Sequence, residues 1–227
     1  MNELLWFGML IVCFITVLLA YRVFGKTGLY IWIAVSVIVA NMQVIKTIEL
    51  FGFTTTLGNI VYASTFLATD ILSENYGKKE ARRGVAVGFF ALLSLTAFMN
   101  LALVFRPSPA DFVQESLSTI FGFLPRIAGA SLAAYALSQL HDVWAYHFWK
   151  KKFPSDRALW LRNNASTMVS QLIDTVIFTF AAFLGRFEIT IVLEILVTTY
   201  LMKWLVAFLD TPFIFLAKKI GLRVPKW

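Results

Sequence analysis

The stretch LLWFGMLIVCFITVLLAYRV, Leu4–Val23, holds twenty residues with one charge, Arg22, near its end. At 1.5 Å of rise per residue, about 20 apolar residues carry an α-helix across a hydrocarbon core of about 30 Å. Working outward, six more apolar stretches follow: Leu29–Leu50, Leu57–Ser73, Gly84–Phe105, Ile120–Tyr146, Asn164–Gly185 and Ile189–Leu216. A chain of 227 residues that is 59% hydrophobic and 15% charged, with mean hydropathy +0.75, cannot hide its apolar surface in a soluble core. These features predict an all-α polytopic integral membrane bundle of about six to seven transmembrane helices, forming one domain over residues 1–227.

The basic residues orient that bundle. Of 20 Lys and Arg, fifteen lie after the first, third and fifth stretches or in the C-terminal tail: Arg22 and Lys26, Lys78 to Arg83, Lys150 to Arg162, and Lys218 to Lys226. Positive connections mark the cytoplasm, so the N-terminus is expected outside and the C-terminus inside. The net charge of +7 is explained by loops beside anionic lipid headgroups and gives no reason to invoke a nucleic-acid partner. Trp32, Trp144, Tyr146 and Trp149 sit near span ends, where aromatic side chains anchor to the interface. Met1-Asn2-Glu3 lacks the basic start of a signal peptide, so the first helix is expected to be retained. Cys13 is the sole cysteine and reads as a small hydrophobe, which leaves no disulfide or cysteine metal cluster.

No connection is long enough to hold a soluble module. The longest, His147 to Asn163, is basic and contains Pro154. Pro107-Ser108-Pro109 ends the fourth helix, and Pro212 is expected to kink the seventh by removing a backbone donor. In the fifth stretch, Gly129/Ala133 and Ala130/Ala134 are small-residue pairs four apart, which let another helix approach closely.

Function has to be sought among the polar residues inside the stretches. A charge at mid-membrane costs about 2.5–3.5 kcal/mol on insertion scales, yet Lys46, Asp70, Arg126, Asp142, Asp174, Glu194, Lys203 and Asp210 all fall within them. The orientation places Lys46, Arg126 and Glu194 in the outer half, Asp174 and Lys203 near the middle, and Asp70, Asp142 and Asp210 toward the cytoplasm. Gln171 and Asp174, three apart, share a helix face, as do Gln139 with Asp142 and Gln43 with Lys46; Glu194/Thr198 and Thr199/Lys203 are four apart. Amides beside carboxylates fit a neutral, planar ligand rich in hydrogen-bonding groups. The same residues also fit interhelical pairing, for example Lys203 with Asp174.

Catalysis is not expected. The two histidines, His141 and His147, flank a helix end, and no His-Glu-x-x-His, Gly-x-Ser-x-Gly or paired-cysteine spacing occurs. No metal site and no cofactor are predicted. His141 reads as an interfacial or packing residue.

The run Tyr62-Ala-Ser-Thr-Phe-Leu-Ala-Thr-Asp70-Ile-Leu-Ser-Glu74-Asn-Tyr-Gly77-Lys-Lys-Glu-Ala-Arg82-Arg83 resembles the signature of the queuosine precursor transporter family, also described as vitamin uptake transporters. Arg126-Ile-Ala, Ala134-Tyr-Ala-Leu with Gln139 and Asp142, Ala165-Ser-Thr with Asp174-Thr175, and Glu194-Ile with Lys203 extend the resemblance over most of the chain. It implies import of 7-deazaguanine precursors of queuosine, such as 7-cyano-7-deazaguanine and its aminomethyl form, through a prokaryotic plasma membrane. The family is similar to the substrate-binding subunits of energy-coupling-factor vitamin transporters, but its members are expected to work without that ATPase module, alone or as a homo-oligomer. Carried over by motif position, the functional residues are Asp70, Arg126, Gln139, Asp142, Asp174, Glu194 and Lys203, with Asn41 a looser match.

A deazaguanine presents N1–H and its exocyclic amine as adjacent donors and O6 as an acceptor. A carboxylate can take both donors while an amide or cation meets O6. Asp174 or Glu194 is expected to make the first contact, and Gln171, Asn41 or Lys203 the second, with stacking from Phe66, Tyr62 or Phe178. Gln43, Lys46 and Arg126 complete the candidate binding set. Asp70, Gln139 and Asp142 form either an inner gate or a charge cluster that sets register.

Overall fold

The computed structural model of the protein describes residues 1–152 and 159–221. Helix α1 (Asn2–Gln43) would measure about 63 Å if straight, twice what a bilayer needs, but it folds back at Gly25, with φ 59° and ψ −141°. Only glycine adopts that conformation readily. A Cβ on Gly28 would stand 2.1 Å from the Ala20 carbonyl oxygen, although eight residues span about 12 Å in a straight helix. Cys13, Ala40 and Val61 share one buried cluster, and the Asn2 amide donates to the Glu49 carbonyl at 2.9 Å. Pairs that centre near Gly25 make α1 an antiparallel hairpin with two crossings, as the first two apolar stretches predict.

The second crossing ends at Gln43 rather than Leu50, which corrects the predicted stretch. Strands β1 (Thr47–Leu50) and β2 (Phe53–Thr56) pair antiparallel with Leu50 opposite Phe53. The two-residue turn Phe51-Gly52 has φ of 52° and 81°, the positive pair of a hairpin turn that matches strand twist. Leu50 is fully buried, and the Phe51 amide donates to Glu3 Oε1 at 3.2 Å.

Helix α2 (Asn59–Tyr76) mixes hydroxyl and apolar residues and buries Ile60, Val61, Leu67, Ala68, Ile71 and Leu72 against its neighbours. Its hydroxyls are internally satisfied: Ser64 donates to Val61 at 2.6 Å, Thr65 to Tyr62 at 2.6 Å and Thr69 to Thr65 at 3.0 Å. Trp32, expected to anchor at the interface, instead donates from Nε1 to Ser64 Oγ at 2.9 Å inside the bundle. Gly77, at φ 88°, turns the chain into α3 (Lys78–Val104). Only Gly84, Gly88, Ala91 and Leu92 of α3 are buried, one narrow face of small residues packed on α1 and α2, while Phe90 and Phe98 point outward. That inside-out distribution suits a helix whose outer surface meets lipid.

The fifth stretch is also divided differently from expectation. Its first residues belong to the short helix α4 (Gln114–Phe121), tied to α3 by Asn100 Nδ2 donating to the Phe121 carbonyl at 3.1 Å. Helix α5 (Leu124–Lys152) starts after the Gly122-Phe123 turn, with Pro125 in the first turn where its missing donor costs nothing. Within it Ala130 and Ala134 are buried, whereas Gly129 and Ala133 are exposed and a Cβ on Gly129 would touch nothing within 4 Å. Only the Ala130/Ala134 pair packs. Helices α6 (Leu159–Phe183), α7 (Ile189–Leu209) and α8 (Thr211–Gly221) complete the chain. Pro212 does more than kink: the helix ends at Leu209 and restarts at Thr211, because the ring cannot donate to the Phe208 carbonyl.

Among the described residues, Asn2–Gln43, Lys78–Val104, Gln114–Ser138 and Ile189–Val206 are each long and apolar enough to cross a membrane. The protein is therefore an all-α polytopic membrane protein. It divides into two compact units, one of Met1–Pro125 with Leu201–Trp227 and one of Arg126–Tyr200.

Candidate functional site

In the Arg126–Tyr200 unit, α6 brings Gln171, Asp174 and Phe178 onto one face at the i, i+3, i+7 spacing, and all three are half-buried. One turn around the helix, the Thr175 hydroxyl donates to the Gln171 carbonyl at 2.8 Å, which stiffens the backbone beneath the amide. Thr179 is fully buried and its Oγ has no hydrogen-bond partner among the described residues. The Phe178 ring stands edge-on to Phe183 with centroids 5.9 Å apart, which holds the aromatic at the outer end of this face. Amide, carboxylate and aromatic ring thus follow one another up a single helix. Glu194 is half-buried on α7, where the Thr198 hydroxyl donates to its carbonyl at 2.7 Å rather than to its carboxylate.

Arg126 has a role the sequence did not disclose. Its Nε donates to the Ala181 carbonyl at 2.7 Å and its Nη2 to the Leu184 carbonyl at 2.5 Å. These are carbonyls at the end of α6, where Gly185 at φ 79° reverses the chain. A cation there complements the negative end of the helix. His141 packs as expected, with Nδ1 3.0 Å from Ser170 Oγ. The Gln139 and Asp142 side chains lie outside the described residues.

In the other unit, the members of the second-span set have separate fates. Asn41 is buried, but its amide donates to the Val37 carbonyl at 2.7 Å on its own helix. Gln43 is half-buried, with Oε1 shut off and without a partner among the described residues. Lys46 is exposed and lies past the end of α1 on the approach to β1, so it is not an intramembrane cation as the sequence predicts. Lys203 is half-buried on α7.

On α2, Tyr62, Phe66, Asp70 and Glu74 recur every four residues along a stripe that stays open while the rest of the helix is packed; Phe66 is half-buried and the other three are exposed. Tyr62 and Phe66 meet edge to face at 5.5 Å. Glu74 is ion-paired to Lys218 of α8, and Asp210, which heads α8, is only 3% exposed. Phe213 packs edge-on against Phe14 at 5.0 Å, and Phe14 is midway along Leu4–Val23. Helix α8 therefore starts beside the middle of the first crossing, deeper than the cytoplasmic-end position expected for Asp210.

A further cluster escaped the sequence reading. Glu80 accepts from the Tyr30 hydroxyl at 2.5 Å and pairs with Lys26 at 3.0 Å and Arg83 at 2.6 Å. It sits in the basic turn that precedes the crossing part of α3. Hydrogen bonds from Tyr30 and then Lys26 hold its carboxyl well below the usual range, at about 2. Its being the lone acid within Lys78–Arg83 was the available signal.

Residues 56–217 match the sequence model of a family described as "Putative vitamin uptake transporter". The chain is 50% identical over 219 residues to a "Probable queuosine precursor transporter" of Bacillus subtilis strain 168, covering 96% of each chain. It is 33% identical over 144 residues to the "Queuosine precursor transporter" of Escherichia coli K12, covering 63% of this chain and 62% of that one. A "Probable queuosine precursor transporter" of Haemophilus influenzae is 30% identical over 133 residues, covering 59% and 54%. No solved structure matches.

Proposed function

The chain belongs to the queuosine precursor transporter family of vitamin uptake transporters, and on that premise we propose that it imports 7-deazaguanine precursors of queuosine, 7-cyano-7-deazaguanine or its aminomethyl form, for tRNA modification. The observation that carries the choice of site is the Gln171–Asp174–Phe178 face of α6. The Asp174 carboxylate takes N1–H and the exocyclic amine together, the Gln171 amide donates to O6, and the Phe178 ring covers the base. Glu194 is the second carboxylate of the set. The protein carries its cargo unchanged, without a cofactor, as one transporter domain in the prokaryotic plasma membrane. It works alone or as a homo-oligomer, without a separate ATPase.

The test is the queuosine content of tRNA in bacteria that can neither make nor import the precursors, expressing this chain or its Asp174→Asn variant and fed a low concentration of 7-cyano-7-deazaguanine. Rescue by the wild type alone, at equal abundance in the membrane, is the expected result. Failure of the wild type with both precursors would overturn the substrate assignment. Rescue only when an ATPase pair is coexpressed would make the chain a binding subunit of an energy-coupling-factor transporter.

A further inference from the structure

Asp210 heads α8 at the break in the last helix pair and is 3% exposed, and α8 packs on α2, which carries Asp70 one turn before Glu74, the partner of Lys218 on α8. Among the described residues neither carboxylate makes a side-chain hydrogen bond or an ion pair. The cations on the elements around them are engaged elsewhere or open to solvent. On α8, Lys218 is taken by Glu74 and Lys219 is exposed. On α1 and α3, Lys26 and Arg83 are taken by Glu80, and Arg22 and Arg82 are exposed. The Tyr21 hydroxyl accepts from Asn75 at 3.0 Å. Lys203, the cation before the break on α7, is seven residues away, about 10 Å along a helix.

Two carboxylates on packed helices, one of them buried, cannot both stay ionised without a compensating positive charge. We propose that the Asp70–Asp210 pair takes up one proton from the outer side and releases it inside with each cycle, so that import is driven by the proton gradient. The geometry supports the division of labour: Asp70 lies on the open stripe of α2, and Asp210 is buried at the helix break that starts α8, which packs on α2. Discontinuous helices at mid-membrane are where secondary transporters place their coupling ions. A proton needs only the carboxylate oxygen it bonds to, whereas a sodium ion would need several further oxygen ligands, which this pair does not assemble. The inference rests on the import function proposed above.

The purified full chain in proteoliposomes, with the membrane potential clamped, gives the test. With acid outside by one pH unit, the wild type should accumulate labelled 7-cyano-7-deazaguanine up to about tenfold, since one unit corresponds to about 1.4 kcal/mol at one proton per substrate. Asp210→Asn should keep exchange of labelled for unlabelled substrate, which also shows it is folded, and lose the accumulation. Gradient-insensitive accumulation, a sodium requirement, or a variant that still accumulates would overturn proton coupling while leaving the import function standing. If the wild type exchanges no deazaguanine, the import function fails instead. The infrared band of a protonated carboxyl, present on titration of the wild type and missing in Asp210→Asn, then still supports the proton site, and its absence from the wild type overturns it.

Discussion

Asp174 has an amide three residues before it and an aromatic ring four residues after it on the same face of α6, a spacing that Gln139, Asp142 and Tyr146 repeat in the sequence of α5. If it holds the two adjacent donors of the cargo, Asp174→Asn replaces charge-assisted acceptance by a weaker amide contact, a loss of about 1.5–3 kcal/mol. The half-saturating substrate concentration should rise roughly 10- to 100-fold at unchanged membrane abundance. An unchanged transport curve would remove Asp174 from the path. Glu80 offers a different residue-scale check. Its carboxyl is lowered from 4.5 to about 2 in the folded protein, so its contribution is complete above the unfolded value and is lost as pH falls through the folded one. Between pH 4.5 and 2 the wild type should lose thermal stability that Glu80→Gln, already less stable at neutral pH, has little left to lose. Parallel profiles for the two proteins would show that the cluster contributes nothing. The shared face of Gln171 and Asp174 was legible in the sequence because the signal is local, an i, i+3 spacing. Arg126 was not, since the carbonyls it caps come from 55 and 58 residues further along the chain.

At the scale of elements, glycine separates close approach from mere composition. A Cβ on Gly58 would stand 2.4 Å from the Ala40 carbonyl oxygen and 2.9 Å from the Val44 amide. Those atoms are backbone and cannot step aside. Gly58→Ala should cost about 1–3 kcal/mol by overpacking, a fall of roughly 5 °C in the thermal midpoint. Gly129→Ala meets nothing within 4 Å and should leave the midpoint unchanged or raise it slightly, as alanine favours the helix by about 0.5–1 kcal/mol. Equal effects of the two changes would contradict the packing described here. The break before α8 was readable from Pro212, because a missing donor acts wherever it falls. The β1–β2 hairpin was not readable, since Ile48 and Leu50 extend an apolar run and the turn at Phe51-Gly52 puts an unusual residue at positive φ.

For the whole molecule, orientation follows from charge and can be checked with thiols. Cys13 is the sole cysteine and is buried in the first crossing, so the native protein gives a low background toward impermeant maleimides. Ser108→Cys, in the turn after α3, should label in intact cells, and Lys79→Cys, at the start of α3, only after permeabilisation. The reverse pattern would invert the topology. The bundle class was legible from composition and loop charge alone because both are bulk properties of how a bilayer selects sequence. Pairing at a distance, such as Lys218 of α8 with Glu74 of α2, is a property of the folded arrangement and leaves no local mark.

The most direct measurement is exchange of labelled 7-cyano-7-deazaguanine across proteoliposomes containing this chain and no other protein, without ATP. Saturable exchange, blocked by excess of the unlabelled or aminomethyl precursor and weakened by Asp174→Asn, is the predicted result. Vesicles no more permeable than protein-free controls, with monodisperse protein in them, would contradict it.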